Sequence, residues 1–402
     1  MADEHIDLLF KDQYGDGFAR ILNNDHKEII PINSSKFARF LSKLYYEKES
    51  QVINKESVNN VIYTLQAKAE FGDNKYDLSL RVAEYQGDFY YDLTDEKHRC
   101  IRISKDGTWQ ILDETPIPLF RRYNQIPQDL PCNNSLVKTD NKFENEHLDN
   151  PLEIFLSRLT NIKASETKLL VKVALISYFI PEISHIVLII HGGKRSAKST
   201  FQLLLKNIVD PAKPTLLTVH DNLSEFIQQI SHNYLATYDN MKYVPKWLSD
   251  EVCKAVTGIG QTKRMLYTND EDKIFEYKHC LNFNGINVAF SEPDVLDRSI
   301  IIELEEIDDE NRRTEEKILN DFNALRPKLL GFIFDTLAKA ITIKPSINIK
   351  KLPRMADFAI WGEAISRSLG YKENEFLEAY YNNIGFQNNE VIESNPLAFA
   401  IK

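Results

Sequence analysis

The sequence predicts an α/β protein: a parallel sheet with helices on its faces, a small α+β domain before it and helices after it. Three observations carry this. Between residues 150 and 306, short apolar runs alternate with helical periodicities, the texture of strands joined by crossover helices. One of those runs, His185-Ile186-Val187-Leu188-Ile189-Ile190, is almost continuously apolar, as a strand buried on both faces must be. Upstream, residues 18–112 alternate strand-like runs with turn signals such as Gln86-Gly87-Asp88 and Lys105-Asp106-Gly107, the pattern of an antiparallel meander.

Taken in order, residues 1–112 form an N-terminal α+β domain. Strands are expected over 18–22 and 28–32. A helix opens near Ser35 as N-cap and carries Phe37, Phe40, Leu41 and Leu44 on one face. A second helix covers 56–69, and strands follow over 78–82, 89–93, 100–103 and 108–111. Residues 113–149, with Pro116, Pro118, Pro127 and Pro131 among polar residues, have linker composition. Arg121-Arg122 within it reads as a solvated basic pair, or as a contact to a phosphate backbone. Residues 150–306 hold the parallel sheet. Residues 307–402 read as helices over 311–322, 324–342, 354–369 and 373–383, with 344–354 extended.

The chain has 402 residues with 43% hydrophobic and 27% charged, which excludes a disordered or fibrous protein. A formal net charge of -10 excludes a protein that coats nucleic acid by bulk positive charge, though not one that grips it locally inside a ring. Cys100, Cys132, Cys253 and Cys280 form no C-x-x-C pair and fit reduced thiols in the cytoplasm. The start Met1-Ala2-Asp3-Glu4 has no basic region of a signal peptide. The apolar stretch 169–180 contains Lys172, is too short to span a bilayer and reads as a buried helix. A cytoplasmic protein with no membrane partner is expected.

The strongest motif follows the apolar strand at 185–190. Gly192-Gly193-Lys194-Arg195-Ser196-Ala197-Lys198-Ser199-Thr200 leads into Phe201, Leu204, Leu205 and Ile208 at helical spacing. Strand, glycine loop, Lys-Ser and helix together make the context that a P-loop requires. Backbone N–H groups of the loop and helix start face phosphates, Lys198 reaches the β- and γ-phosphates, and the Ser199 hydroxyl ligates Mg²⁺. Ala197 stands where the usual pattern has its second glycine. ATP and Mg²⁺ are the expected cofactors.

A P-loop needs a second carboxylate at the end of a neighbouring strand, and Asp239 ends the run at 234–238. A helix with Leu223, Phe226, Ile227 and Ile230, capped by Asp221 or Asn222, lies between the two. Beyond come a helix that Gly258 can end and a β-hairpin, with strands expected at 264–267 and 274–277 and a polar tip at 268–273. A strand ending on Asn284 follows, and then Arg298 before a last strand at 299–304.

That order of strand, Asp, helix, hairpin, strand with terminal Asn and Arg before a strand resembles the AAA+ helicases of superfamily III and the MCM group. The ending Ala197-Lys198-Ser199 resembles the MCM form of the Walker A motif. The run Lys254-Ala255-Val256-Thr257-Gly258 followed by Arg264-Met265-Leu266-Tyr267 is similar to the pre-sensor region of superfamily III enzymes. The chain as a whole resembles MCM-like replicative helicases of plasmids, phages and other mobile elements, well over 150–306 and more loosely over 311–390.

The resemblance implies roles. Lys198 and Ser199 are Walker A, and Asp239 is the Walker B metal carboxylate. Asn284 is sensor 1, beside the attacking water. Arg298 is an arginine finger that completes the ATP site of the adjacent subunit, or else it pairs with Asp294 or Asp297. The hairpin lines the pore of a ring, which the same resemblance makes a hexamer, with Lys263, Arg264 and Lys273 as DNA phosphate contacts, or else it is only a solvated hairpin with an acidic tip. Asn240 replaces the glutamate that usually follows the Walker B aspartate; it can orient water but cannot accept a proton. Arg326 is a weaker candidate for a second sensor. The expected function is an ATP-dependent ring-forming DNA helicase or translocase of a mobile element. The alternative is an ATP-gated DNA-binding initiator or loader that hydrolyses little, and a small-molecule kinase is a third reading that leaves the hairpin without a role.

Overall fold

The computed structural model describes residues 2–23, 26–132, 150–181, 183–258, 261–264, 272–275, 278–286, 290 and 292–394; at 2–3, 261–264, 272–275 and 386–394 it describes the backbone alone. Helix α1 (Ala2–His5) leads into an antiparallel sheet of β1 (Ile6–Lys11), β2 (Gly17–Asn23) and β3 (His26–Pro31). Helices α2 (Ser35–Glu49) and α3 (Lys55–Glu70) cover it, burying Phe37, Leu41, Val58 and Leu65 against Ala19 and Ile21. Both helices start where a short polar side chain takes an orphan N–H: the Ser34 hydroxyl accepts from Phe37 N, and Asn54 Oδ1 from Ser57 N. The cap is thus Ser34, one residue before the expected Ser35.

A four-stranded meander follows, β4 (Val82–Tyr85), β5 (Asp88–Asp92), β6 (Cys100–Ile103) and β7 (Trp109–Leu112), antiparallel throughout. The strand expected over 78–82 is corrected. Val82 opens β4, while Ser79 makes an isolated bridge to Phe120, so Leu78 and Leu80 are buried by packing rather than by the meander's ladder. Residues 113–132, which read as linker, thread between the meander and the later helices. Gln128 N donates to Leu93 O, Ile126 N to Pro211 O, and Cys132 N to Pro327 O. Arg121 and Arg122 are not a solvated pair: Arg121 bonds Asp12, and Arg122 bonds Asp92 and His98.

The central unit runs α4 (Pro151–Arg158), α5 (Ser165–Ser177), β8 (Val187–His191), α6 (Lys198–Val209), α7 (Leu223–His232), β9 (Leu235–Met241), α8 (Lys246–Thr257), β10 (Gln261–Arg264), β11 (Asp272–Phe275), β12 (Cys280–Gly285), α9 (Pro293–Leu296) and β13 (Ser299–Glu303). The sheet is parallel, in the order β13-β8-β12-β9. Leu188 and Ile190 of β8 enter one core and Val187 and Ile189 the other, which explains the continuous apolar run. Asp239 lies on β9, which is separated from β8 by β12 and is not its immediate neighbour. The hairpin pairs Gln261 with Phe275 and Arg264 with Asp272. Its strands therefore start earlier than expected, and Asp272 and Lys273 belong to a strand rather than the tip. The expected strand residues 265–267 and 276–277 and the tip at 268–271 lie outside the described residues.

After β13 come α10 (Glu315–Ile343), α11 (Ala356–Ser368) and α12 (Glu375–Ser394). The expected break between 322 and 324 is absent: α10 runs on through Pro327 because Leu329, Leu330, Ile333 and Phe334 hold it in the core. Gly331 lets the strap at Cys132 cross, since a Cβ there would stand 1.9 Å from Cys132 O. Side chains from β4–β6, α4–α6 and α10–α12 share one continuous core. No helix among the described residues is long and apolar enough to cross a membrane.

A buried ion network ties these parts together. Arg81, Lys206 and Asp210 are fully buried. Arg81 Nε donates to Asp210 Oδ1 (3.0 Å), and its other nitrogens to Asp92 O, Thr94 Oγ1 and Pro211 O. Lys206 Nζ donates to Asp210 Oδ2 (2.8 Å), Asn233 Oδ1 and Leu235 O. Burial pushes the Asp210 carboxyl up, but the Lys206 and Arg81 charges outweigh it and hold the group below the usual carboxylate range. Asp210→Ala would leave two buried cations without their anion and should destabilise the fold by about 3–5 kcal/mol in urea denaturation; a loss below about 1 kcal/mol would contradict this role. The depressed carboxyl contributes fully above its unfolded value of about 3.9 and loses that contribution as pH falls through its folded value. Acidification should therefore destabilise the wild type more than Asp210→Asn.

Candidate active site

The glycine loop joins β8 to α6 at the edge where the parallel strands end. Gly192 has φ +149, and a Cβ on it would stand 2.2 Å from Leu304 O, so only glycine fits where the loop passes β13's exit. Arg195 (φ 67) and Ala197 (φ 59) both adopt the left-handed conformation. Ala197 caps α6 in that conformation, which explains in physical terms why a glycine is the usual residue there. Lys194 and Arg195 are exposed, Ser196 is buried and its hydroxyl donates to Gly193 O (2.9 Å). Lys198 Nζ donates to Gly192 O and Gly193 O, each at 2.7 Å, and to Ser196 Oγ at 3.1 Å. Its ammonium thus lies over the loop. Burial draws Lys198 below its ordinary value, against the pull of Asp239. Ser199 and Thr200 open the helix, whose first N–H groups have no helical acceptor.

Asp239 faces this helix start: Ser199 Oγ donates to Asp239 Oδ1 at 2.8 Å. Strand β9 does not stop at Asp239 but bulges. Tyr238 pairs with Phe283 and Met241 with Gly285, so Asp239 and Asn240 together oppose Asn284. Asn240 takes φ 58, a conformation that asparagine tolerates better than most residues. Asn284, almost fully buried, clamps the bulge. Its Oδ1 accepts from Asn240 N (2.8 Å), and its Nδ2 donates to Asp239 Oδ1 (2.6 Å) and Gln202 Oε1 (2.5 Å). Gln202 is a site residue that sequence reasoning missed. It lies on α6 one turn after Lys198 and Ser199, and its other end donates to Tyr238 O (3.3 Å). Position 202 on a helix whose neighbours are apolar was the available signal, since a buried glutamine needs partners.

These oxygens suit a hard divalent cation. The Ser199 hydroxyl and Asp239 carboxylate are adjacent and face the loop, and Mg²⁺ prefers such ligands together with phosphate oxygens. Of the expected residues, Lys198, Ser199, Asp239, Asn240 and Asn284 are thus brought together. Arg298 is not among them. It precedes β13, whose Ser299 pairs with Val187 at the start of β8. At about 3.3 Å per residue, roughly 16 Å of strand separates that edge from Gly192. The Arg298 guanidinium donates to Asp294 O (2.5 Å), and its Nε is buried with no hydrogen-bond partner among the described residues. Arg354, more exposed, bonds the Asp294 carboxylate at 2.8 Å. Lys263, Arg264 and Lys273 lie on the hairpin, with Lys263 opposite Lys273 in register. Arg326 bonds Asp129 (2.7 Å) and stays away from the loop.

Among the described residues, one other cluster, His26, Glu28 and His98, brings three possible metal ligands together. Lys36 bonds Glu28 and Arg122 contacts His98, so two cations already occupy it and a further divalent charge is disfavoured.

Comparison with known proteins adds a family. A family model described as "Actinomycete integrative conjugative element replication protein" matches residues 154–384. No curated protein matches the chain. Among solved structures, the A form apo structure of the NrS-1 C-terminal region is 10% identical, covering 91% of this chain and 72% of that one, with a TM-score of 0.47. The apo structure of NrS-1 C-terminal region residues 305–718 is 11% identical, covering 95% and 73%, with a TM-score of 0.43.

The loop geometry predicts a graded glycine series. Gly192→Ala should abolish binding of a fluorescent ATP analogue and lower the melting temperature. Gly193→Ala, with no atom within 4 Å of its added Cβ, should melt like the wild type. Ala197→Gly should relieve left-handed strain and stabilise the chain by up to about 1 kcal/mol. Equal melting of Gly192→Ala and Gly193→Ala would contradict the close approach to Leu304.

Proposed function

The chain belongs to the family of actinomycete integrative conjugative element replication proteins, and from that premise we propose that it is an AAA+ ATPase, a ring-forming DNA helicase or translocase that acts in replication of the element. The observation that carries the reading is the convergence of Lys198, Ser199, Asp239 and Asn284 at the start of α6. ATP would lie with its phosphates along the loop and the N–H groups of that helix. Lys198 would transfer its ammonium from the loop carbonyls to the β- and γ-phosphates. Ser199 and Asp239 would hold Mg²⁺, which when bound neutralises charge that develops on the phosphates.

Asn284 then has a positioning role. Its amide ties Asp239, Asn240 and Gln202 into one unit, so a displacement at the γ-phosphate reaches the β9 bulge directly. Arg298, about a strand length from its own loop, would serve the site of an adjacent protomer, which makes hydrolysis depend on assembly into a ring such as a hexamer. To do so it must give up its bond to the Asp294 carbonyl. Lys263, Arg264 and Lys273, carried on the two paired strands of the hairpin, would contact phosphates of a DNA strand.

A second reading has its own observation. Asn240 stands after the metal carboxylate, and its backbone N–H and left-handed conformation are fixed by the bulge. No proton acceptor occupies that position, which favours an ATP-gated DNA-binding initiator or loader with little hydrolysis.

ATP hydrolysis by the purified chain, with and without single-stranded DNA, separates the two. The motor predicts turnover stimulated by DNA. Lys198→Ala should lose ATP binding, while Arg298→Ala should retain binding and lose turnover by about 10³-fold or more. ATP binding with negligible turnover on any DNA would replace the motor by the loader.

A further inference from the structure

At the edge where the parallel strands begin, opposite the glycine loop, a cleft of about 800 Å³ separates the N-terminal domain from the sheet. Gly258, which ends α8, and Lys278, which follows the hairpin, both line it, so the hairpin stands at its rim. One wall is a column of planar groups. The Arg121 guanidinium lies 5.5 Å from the Phe18 ring centre and 4.8 Å from that of Tyr123. The Tyr123 and His232 rings stack at 4.0 Å with 24° between their planes.

The column is held in place from behind. Asp12 accepts from Arg121 Nη1 (3.3 Å) and offsets its charge. Gln125 bridges the other two members: its Oε1 accepts from Tyr123 N (2.7 Å), and its Nε2 donates to His232 O (2.8 Å). Tyr123 is nevertheless 43% exposed. Burial, then the Arg121 charge, holds His232 below its ordinary value, so the ring is mostly uncharged at neutral pH. Tyr123 has Arg121 over one face and His232 on the other, so the wall offers the Tyr123 ring edge and the outward face of His232. With the Arg121 charge offset by Asp12, this surface is suited to bases rather than to phosphates.

We propose that this cleft is a subsite for single-stranded DNA, in which bases stack against the Tyr123–His232 column while the backbone passes Lys278 towards the hairpin. The inference rests on the reading that the hairpin grips a DNA strand. A stacking wall of this kind accepts every base, as replication of a whole element requires, because every base has a π-face.

The test uses the full chain and a labelled oligothymidylate. Binding is read by fluorescence anisotropy for the wild type, Tyr123→Ala, Tyr123→Phe, His232→Ala and the double variant Lys263→Ala/Lys273→Ala, with a melting curve for each. A 5-iodouracil oligomer is also photo-crosslinked and the attachment mapped by mass spectrometry. The expected result is attachment at Tyr123 or His232, with about 10-fold weaker binding in Tyr123→Ala and His232→Ala. Tyr123→Phe should bind like the wild type. If Tyr123→Ala does not fold, His232→Ala at the end of α7 carries the comparison. Attachment confined to the hairpin, with His232→Ala binding as the wild type does, overturns the cleft and leaves the gripping hairpin standing. A wild type that binds ATP but no oligothymidylate overturns both.

Discussion

Two buried cations sharing one carboxylate, Arg81 and Lys206 with Asp210, fix where the rest of the molecule stands. Charges removed from water are tolerated only when nearly every donor and acceptor is satisfied, and here the partners come from three parts of the chain. Arg81 leads into the meander, Asp210 caps the far end of α6, and both backbone groups of Leu235 at the start of β9 are bound. Helix α6 is a rod of about 18 Å, so fixing its far end fixes Ser199 at the other. Four residues of β9 beyond Leu235 bring Asp239 opposite it. The 2.8 Å contact between Ser199 and Asp239 is thus set at the opposite edge of the sheet.

That arrangement gives the sheet two working edges. At one, the strands end on the glycine loop, the β9 bulge and Asn284. At the other lie the hairpin's base, the cleft and Arg298. Rigid parallel strands span the distance, and the strap over 113–132 binds the N-terminal domain to α6 and α10 alike. In the proposed motor, a change at the γ-phosphate would reach the DNA edge through β9 and β12, whose register is locked by the Asn284 clamp.

Much of the glycine-loop edge is legible in the sequence because its causes are local. A strand buried on both faces has to be apolar, and a loop that passes a neighbouring backbone at 2.2 Å from a would-be Cβ has to be glycine. What the sequence conceals is non-local. Gln202 looks like one polar residue on an amphipathic helix; only the fold brings it to Asn284, 82 positions away. Residues 113–132 have linker composition, yet backbone and side-chain bonds to partners distant in sequence hold them, which composition does not register. Leu78 and Leu80 alternate like a strand although side-chain packing, not a ladder, buries them: Leu78 against Phe10 and Phe18, and Leu80 in the main core. The break expected between 322 and 324 does not occur, because the core contacts of α10 carry it on even through Pro327, outweighing the hydrogen bond lost there, and the Pro327 carbonyl serves Cys132. Strand β1 escapes notice because most of its residues are only partly buried and show no clean alternation.

The claim on which the account turns is that Lys198, Ser199 and Asp239 form a Mg-ATP site. Calorimetric titration of ATP into the full chain, with Mg²⁺ and then with EDTA, tests it most directly, using Asp239→Ala and Lys198→Ala as controls. The account predicts one ATP per chain, much weaker binding without the metal, loss of binding in Lys198→Ala, and loss of the metal dependence in Asp239→Ala. Binding that is indifferent to Mg²⁺ and survives Lys198→Ala would contradict it.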